Sequence, residues 1–267
     1  MPLPSGSSAG GVKRGAEGDT GRTEIPGAVC GYGTARPEEC RHSCRSQPAP
    51  GPACSLFLVS RLGEAADLLA AARQAGVKHV VLVSSIAVQT HPHLGLAGEN
   101  LAVEQLLKAS GMAWTILRPT QFASNALMWA ACIRAHKTVH APYAETALPT
   151  IHPADIASVA RVALTEPGHH GCAYALTGPE PVTARQQVEA IAATLGRKVP
   201  FAEFSRRQAR EQMAAVFGPD AADAVLDVTG GDVNHELLMV RDTVVQLTGT
   251  PARPFQQWAS ENADAFR

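Results

Sequence analysis

Two apolar runs on either side of an amphipathic segment form the most regular pattern in this chain. Residues 79–83 are mostly β-branched valine without polar alternation, which is typical of a strand covered on both faces in a parallel sheet. Residues 99–110 carry leucine and valine at helical spacing and precede Gly111, which predicts a helix that ends at this glycine. Residues 114–117 predict a second buried strand, which ends at the following Arg-Pro pair.

Strand, helix and strand together predict a βαβ unit, which closes right-handed into a parallel sheet. Ligands of such sheets bind beyond the carboxyl ends of the strands. The residues that follow the two predicted strands are therefore the first candidates for a binding site. They are Ser84, Ser85, Pro119, Thr120, Gln121 and Phe122.

Further elements are predicted on both sides of this unit. Residues 56–59 predict a buried strand, and residues 62–75 a helix that Gly76 ends. Downstream, the patterns predict a helix over 125–134, a helix with Asp155 near its start as a structural charge, and strands over 174–177 and 199–204. Capping boxes are predicted at Thr183/Gln186 and Ser205/Gln208, and the first of them begins a helix over 184–195 that ends at Gly196. Two or three helices are predicted within 206–248, and a last helix over 255–266.

Residues 1–54 differ from the rest of the chain. They hold ten of the 23 glycines and show neither a helical nor a strand period, so they cannot bury enough apolar surface to offset their ordering entropy. We expect this segment to be irregular and disordered, and residues 55–267 to form the folded part.

Two patterns inside residues 1–54 resemble binding motifs. Gly27, Gly31 and Gly33 have the spacing of a dinucleotide-binding loop, but no strand precedes them and no helical period follows. A second group of side chains contains zinc-binding residue types but no Cys-x-x-Cys pair. Its members are Cys30, Cys40, His42, Cys44 and Cys54. We interpret both as products of composition and predict no metal site.

Composition and charge narrow the class of protein. Of 267 residues, 45% are hydrophobic and 18% charged, and the net charge is −1, so a core is expected and an electrostatic surface for nucleic acid or membrane is not. No apolar run approaches the roughly 20 residues that span a bilayer. The chain begins without the apolar region of a secretory signal. Six cysteines in a chain of this size do not indicate a disulfide scaffold, and we expect a cytoplasmic protein.

Three segments resemble the NmrA-like family, atypical short-chain dehydrogenase/reductase relatives that bind NAD(P)H. The segments are AADLLAAARQAGVKHVVLVSS, AWTILRPTQFASNAL and LPTIHPADIASVARVAL, and the resemblance extends over about residues 55–267. It implies an α/β fold with an incomplete Rossmann-like parallel sheet, flanking helices and a small, mostly helical C-terminal lobe over about residues 180–267. It also implies NADP or NAD as cofactor and a small-molecule acceptor as partner.

The resemblance does not extend to the first half of the nucleotide-binding fold. Family members begin with a strand, a glycine-rich turn and a helix that hold the pyrophosphate, and residues 1–54 stand in their place. Without that turn, most of the backbone N–H groups that bind the anionic pyrophosphate of the cofactor are missing. One explanation is a wrong start or a shifted reading frame upstream of Ser55. A further hypothesis is that the chain as written binds no dinucleotide.

Ordinary short-chain dehydrogenases pair a serine at the Ser84-Ser85 position with a Tyr-x-x-x-Lys motif that handles the proton. Here residues 86–107 contain neither Tyr nor Lys, and Asn100 lies about where relatives carry Lys or His. Asn100 can hydrogen-bond a ribose or nicotinamide amide, but it cannot shuttle a proton, so no catalytic residue is assigned. Hydride transfer to a quinone, flavin or azo acceptor remains open, and so does a non-enzymatic NAD(P)(H)-sensing regulator with a protein partner.

The acceptor side of the pocket is predicted from aromatic residues. Phe122, Trp129 and Tyr143 are candidates to wall a planar acceptor, although Trp129 is alternatively a core residue and Phe122 a packing residue. His152 is a candidate pocket residue or, alternatively, a packed histidine. Two histidine pairs are instead expected to be solvated loop residues. They are His91/His93 and His169/His170.

Overall fold

The structure, a computed structural model, describes residues 55–60 and 64–267. The expectations for residues 1–54, including the glycine spacing and the cysteine–histidine group, lie outside the described residues. The same holds for the predicted start of the first helix at Leu62.

Four parallel strands form the main sheet in the order β1-β2-β3-β5. Two shorter parallel strands, β4 and β6, pair separately. The strands are β1 Ser55–Val59, β2 His79–Val83, β3 Ala113–Pro119, β4 Val139–Pro142, β5 Cys172–Leu176 and β6 Phe201–Phe204. The prediction of an α/β fold with a parallel sheet and flanking helices is confirmed.

The helices cover both faces of the main sheet and fill the C-terminal part. They are α1 Ala65–Gln74, α2 Ala87–Thr90, α3 Gly95–Ala109, α4 Ala130–Arg134, α5 Pro153–Thr165, α6 Ala184–Leu195, α7 Arg206–Phe217, α8 Pro219–Leu226, α9 His235–Leu238, α10 Thr243–Thr248 and α11 Phe255–Glu261. Two 3-10 helices, Ala123–Trp129 and Ala263–Phe266, and a π-helical turn, Asp227–Gly231, complete the set.

β2 lies at the centre of the core, and all five of its residues are buried. On one face it packs with β1, β3, α1 and α3 through Leu82 and Leu107, and on the other with α5 through Val81 and Val159. Because both faces are covered, every position of the strand is apolar or hydrogen-bonded, which explains the absence of alternation in the sequence.

Several boundaries differ from those predicted. α3 begins at Gly95, four residues before the predicted start, and β3 continues through Pro119. The predicted helix over 125–134 is a 3-10 helix followed by α4. β3 is longer because Arg118 and Pro119 pair with β5, a neighbour that the local pattern cannot indicate.

The helix caps predicted from local sequence signals are found in the structure. Thr183/Gln186 and Ser205/Gln208 both form complete capping boxes at the starts of α6 and α7. α6 ends at Gly196 in the left-handed region, as predicted.

Asp155 holds α5 to the C-terminal part of the chain. Its carboxylate is buried, accepts the backbone N–H of Arg253 at 2.8 Å and pairs with the Arg253 guanidinium. The structural role expected for Asp155 is therefore visible as a contact between α5 and the segment before α11.

Within the described part of the chain, none of the helices combines the length and apolar character needed to cross a bilayer. Among the same residues, no group of three or more His, Cys, Asp or Glu side chains is placed to hold a metal ion.

Candidate functional site

A cavity of about 240 Å³ opens at the carboxyl ends of β1, β2 and β3. The predicted cofactor-binding residues all line it, although they come from three separate segments. They are Ser84, Ser85, Asn100, Pro119, Thr120, Gln121 and Phe122. The structure thus brings the whole predicted cofactor-binding set to one place, as expected where parallel strands end at a common edge.

Two serines at neighbouring strand ends are fixed by the same face of α3. Ser60, which follows β1, donates its hydroxyl proton to Asn100 Oδ1 at 2.6 Å. The Asn100 Nδ2 donates to the Leu96 carbonyl at 2.9 Å. Asn100 therefore orients Ser60 as well as lining the cavity itself, and Ser60 is left with its lone pairs as acceptors.

The second serine, Ser84, follows β2 and donates to Glu104 Oε1 at 2.7 Å. Glu104 is fully buried and also receives two hydrogen bonds from Arg118, at 3.0 Å from Nε and 2.6 Å from Nη2. Lys108 Nζ lies 3.6 Å from its Oε2. Burial on its own raises the pKa of Glu104, but the bonds from Arg118 and Ser84 and the charges of Arg118 and Lys108 lower it below the ordinary value. Glu104 is therefore an ionised acceptor, and Ser84 presents lone pairs to the cavity.

The floor of the cavity is the segment after β3. Thr120 Oγ1 donates to the Pro149 carbonyl at 2.6 Å, and Phe122 forms a parallel bridge with Ile151. These contacts hold the segment against residues 148–151, so the floor consists of two adjacent stretches of extended chain.

Gly178 sets the distance between this floor and the end of β5. A Cβ at Gly178 would lie 2.1 Å from the Thr150 carbonyl oxygen, and Gly178 N–H donates to the Pro149 carbonyl at 3.0 Å. Gly178→Ala is expected to lower the free energy of unfolding by about 2–3 kcal/mol, because the backbone of residues 149–150 must move. Chemical denaturation would measure the change.

Gly98 offers the matched control. It lies exposed inside α3 with nothing within 4 Å of an added Cβ, so Gly98→Ala is expected to stabilise the protein by roughly 0.5–1 kcal/mol. Equal stability of the Gly178→Ala variant and the wild type would show that this backbone contact does not constrain the floor.

The wall opposite the strand ends is helical and mostly apolar. It is formed by side chains from α2, α3, α8, the π-helical turn and α9. Among them are Leu94, Leu96, Ala224, Val225, Val228 and Leu237. Thr229 also lies on this wall, and its hydroxyl donates to the Val225 carbonyl at 2.8 Å.

Trp129, Tyr143 and His152 do not line this cavity, contrary to the pocket wall suggested by the sequence. Trp129 is buried in the core formed with α6 and α11. Tyr143 packs against Gly230 and accepts a hydrogen bond from Arg206 at 3.0 Å. These aromatic side chains face the C-terminal packing because their elements lie outside the main sheet.

His152 is a packed histidine. Its Nδ1 accepts the backbone N–H of Ala154 at 3.0 Å as the N-cap of α5, and its Nε2 lies 3.1 Å from Glu261. Of the two alternatives predicted for His152, pocket residue and packed histidine, the second describes its contacts.

His91 is buried, and the expectation of a solvated loop residue is wrong for it. Its Nε2 lies 2.6 Å from the Asp232 carbonyl, which can only accept, so Nε2 carries the proton. The Thr90 hydroxyl lies 2.7 Å from Nδ1. His93 and His170 are exposed, as expected, while His169 is half-buried.

Comparison with known proteins identifies the family of the chain. A protein family described as NAD(P)H-binding matches residues 43–167. The (4-alkanoyl-5-oxo-2,5-dihydrofuran-3-yl)methyl phosphate reductase of Streptomyces griseus is 40% identical over 198 residues, which cover 74% of this chain and 70% of that protein. The NAD(P)H azoreductase of Xenophilus azovorans is 37% identical over 205 residues, or 75% of this chain and 71% of the relative.

A solved structure shows the same relationship in three dimensions. The NADPH-dependent quinone oxidoreductase QOR2 of Escherichia coli, complexed with NADPH, superposes with a TM-score of 0.64 at 27% identity, covering 78% of this chain and 75% of that one. This chain belongs to the NmrA-like family of NAD(P)H-binding oxidoreductases. The resemblance seen in the sequence is confirmed, and so is the expectation of NAD(P)H as the cofactor.

The described cavity fits one part of the cofactor of an NmrA-like protein. Its strand-end side offers hydroxyl and amide groups and apolar contacts, which suit the uncharged nicotinamide and ribose. Its volume of about 240 Å³ is smaller than the roughly 300–1,000 Å³ of pockets that enclose whole ligands. Ser60 and Ser84 at the strand ends, together with Asn100 of α3, would hold the nicotinamide ribose of the cofactor.

Ser60 was missed by the sequence reasoning, although a signal for it was present. It follows β1 in the same way that Ser84 follows β2, so the strand-end rule applied to it equally. The wall residues from α8 and the π-helical turn carried no such signal, because their approach to the sheet depends on packing between distant segments.

Proposed function

We propose that the protein is an NAD(P)H-dependent reductase that passes a hydride to a quinone- or azo-like acceptor. The observation that carries the proposal is the character of the cavity. Among its described lining residues none is Asp, Glu, Lys, Arg, His or Tyr, although it lies at the edge of the sheet where the cofactor is expected. A cavity of this kind suits an acceptor whose reduction needs no strong protein acid.

Two relatives support a reductase and indicate two types of acceptor. One relative is named for a phosphate ester with a conjugated carbonyl group, the other for azo compounds. Both acceptor types contain an electron-poor conjugated system, which is the chemical feature that this proposal carries over.

The reaction balances without a titratable side chain in the described cavity. Bound NAD(P)H supplies a hydride, which with one proton from water converts a quinone to its hydroquinone and leaves NAD(P)⁺. The residues of the chain have the tasks of orienting the cofactor, placing the acceptor beside it and keeping bulk water away from both.

Two amide side chains offer hydrogen-bond donors for the negative charge that develops on the acceptor. Gln121 and Asn125 line the cavity, and within residues 55–60 and 64–267 the N–H groups of neither amide donate to a protein partner. Hydrogen bonds from these amides to a carbonyl oxygen or azo nitrogen would stabilise the charge that arrives with the hydride.

The test measures cofactor binding and turnover separately. Calorimetric titration with NADPH and with NADH reports binding, and loss of reduced-nicotinamide absorbance with naphthoquinone or a neutral azo dye reports turnover. We expect binding of at least one cofactor and its oxidation with one acceptor type. Binding without turnover of any such acceptor would favour the non-enzymatic regulator, and absence of binding would contradict the proposal outright.

Ser84→Ala is expected to raise the KM for the reduced cofactor roughly three- to tenfold, because one oriented acceptor is lost from the strand-end side. Steady-state kinetics with varied NADPH would measure it. Ser158→Ala serves as the control, since Ser158 donates only to the Ala154 carbonyl inside α5, away from the cavity. An unchanged KM in the Ser84→Ala variant would remove Ser84 from the cofactor side.

A further inference from the structure

We infer that Tyr143 is a positioning residue, which fixes the π-helical turn of the helical wall and thereby sets the position of that wall against a bound acceptor. The inference rests on the proposed function and adds to it a residue that does not line the cavity. The sequence predicted Tyr143 in the pocket wall itself, whereas the structure places it directly behind the wall.

The backbone of Tyr143 adopts a conformation that is unfavourable for a side chain of its size. Tyr143 directly follows β4, and its φ of 52° lies in the left-handed region that residues other than glycine rarely occupy. The next residue, Ala144, donates its backbone N–H to Glu203 Oε1 at 3.1 Å. Thr146 N–H donates to the Tyr143 carbonyl at 3.0 Å. Strain of this kind persists where surrounding contacts impose it, and it is concentrated at functional sites.

The ring of Tyr143 lies against the glycine pair that ends the π-helical turn. A Cβ on Gly230 would lie 2.4 Å from Tyr143 Cγ and 2.7 Å from its Cδ2, so no side chain larger than hydrogen fits between the turn and the ring. A Cβ on Gly231 would lie 2.8 Å from the Tyr143 hydroxyl oxygen. The backbone of the turn therefore contacts this tyrosine from its Cβ end to its hydroxyl.

The opposite side of the same turn forms part of the cavity. Val228 and Thr229 line the cavity and immediately precede Gly230. A shift of Gly230 therefore moves these two residues as well, so the position of the Tyr143 ring is transmitted to the inner surface of the wall. Helical turns of the π type are frequent at functional sites, which agrees with this placement.

The other attachments on the outer side of the turn are weaker. They include two partly exposed ion pairs with α7, Arg206–Asp227 at 2.7 Å and Arg210–Asp223 at 2.9 Å. Exposed ion pairs contribute little. Moreover, α7 packs most extensively on α8, and among its described side chains Ala209 alone is buried, so α7 does not anchor the wall to the rest of the chain. Tyr143, which also accepts a hydrogen bond from Arg206 at 3.0 Å, supplies that anchor from β4.

Steady-state kinetics of Tyr143 variants test the inference. Tyr143→Ala is expected to raise the KM for the acceptor, naphthoquinone or the neutral azo dye, about tenfold and to change the KM for NADPH less than about twofold, because the strand ends keep their contacts. Tyr143→Phe keeps the ring and should stay within about threefold of the wild type. Tyr174→Ala is the matched control. Tyr174 is also half-buried, with its hydroxyl 2.9 Å from His169 Nδ1, but it does not line the cavity, and both KM values should stay unchanged.

Gly230→Ala tests the same contact from the other side. Its methyl group would overlap the Tyr143 ring, so this variant is also expected to raise the KM for the acceptor about tenfold. In the Tyr143→Ala background the methyl group has room, and the KM of the double variant should lie within about threefold of that of Tyr143→Ala alone. Independent effects would instead multiply to about a hundredfold, and that result would overturn the inference.

Amide hydrogen exchange of the free protein gives a readout that needs neither ligand nor turnover. Tyr143→Ala is expected to speed exchange about tenfold in peptides covering residues 224–231 and to leave the floor at residues 120–122 unchanged. Unchanged exchange in 224–231, an unchanged KM for the acceptor or an equal rise in both KM values overturns the inference and leaves the reductase proposal intact. If the wild type reduces no acceptor, the reductase proposal fails, and faster exchange in 224–231 then upholds Tyr143 as the residue that fixes the wall.

Discussion

Replacement of Glu104 by alanine is expected to lower the free energy of unfolding by about 3–5 kcal/mol, among the largest effects of any single substitution near the site. Glu104 is fully buried, and its carboxylate is the partner of the largely buried Arg118 guanidinium, which would be left without its counter-ion. Ser84 would lose its acceptor as well. Chemical denaturation of the two proteins measures the difference.

The pH dependence of stability provides a second test of the stabilising role of the Glu104 carboxylate. Because the folded-state pKa of Glu104 is lowered, the unfolded chain takes up its proton first as pH falls, so the stabilisation is present above the unfolded pKa, near 4.5, and is lost as pH falls through the folded value. The difference in stability between wild type and Glu104→Gln is therefore expected to be largest near neutral pH and to shrink below about pH 4.5.

Glu99 stands on the same helix as an exposed carboxylate, and Glu99→Ala is the matched control for Glu104. We expect it to change stability by about 0.5 kcal/mol or less. The prediction would be contradicted if the Glu104→Ala and Glu99→Ala proteins had the same free energy of unfolding and both lost stability at acid pH as the wild type does. Arg118 would then have found another partner, and the network would not be required for the fold.

His91→Ala is expected to cost about 2–3 kcal/mol of stability and to raise the KM for the acceptor. The side chain is fully buried, so its removal leaves a cavity and deprives the Asp232 carbonyl of its donor. The segment that follows Asp232 leads to Leu237, which lines the binding cavity. Loosening this attachment should therefore weaken acceptor placement more than cofactor binding, a difference that kinetics with each substrate varied in turn would show.

The neighbouring His93 is 63% exposed and supplies the control, since His93→Ala is expected to leave both stability and kinetics close to wild type. The attachment would have to be reconsidered if His91→Ala and His93→Ala behaved alike. His91→Gln adds a conservative variant, because an amide N–H can replace the donor to Asp232 while filling part of the space.

The sequence was informative wherever the cause of a feature is local. The unbroken valine run predicted β2 with its exact bounds, since burial on both faces leaves no polar positions. The capping boxes at Thr183 and Ser205 depend only on residues three positions apart, and both were found. The strand-end rule also placed six predicted residues at one cavity, because parallel strands bring their carboxyl ends together whatever the loops contain.

Features that depend on distant packing were missed. His91 follows a short helix and precedes a proline in a polar stretch, so nothing nearby indicates that a segment 141 residues later covers it. The sequence left Trp129 open between a core position and the pocket wall, and α6 and α11 supply the apolar core that it joins. The helical wall of the cavity could not be predicted for the same reason.

The pairing of α3 with the two strand ends has a consequence for the thermodynamics of ligand binding. Asn100 and Glu104 lie one helical turn apart, and each holds one serine hydroxyl in a fixed rotamer before any ligand arrives. The polar side of the cavity is therefore preorganised, and these serines lose little rotamer entropy on binding. Since a single rigid helix carries both anchors, the two hydroxyl groups keep their mutual spacing, which favours ligands whose donors match that spacing over more flexible competitors.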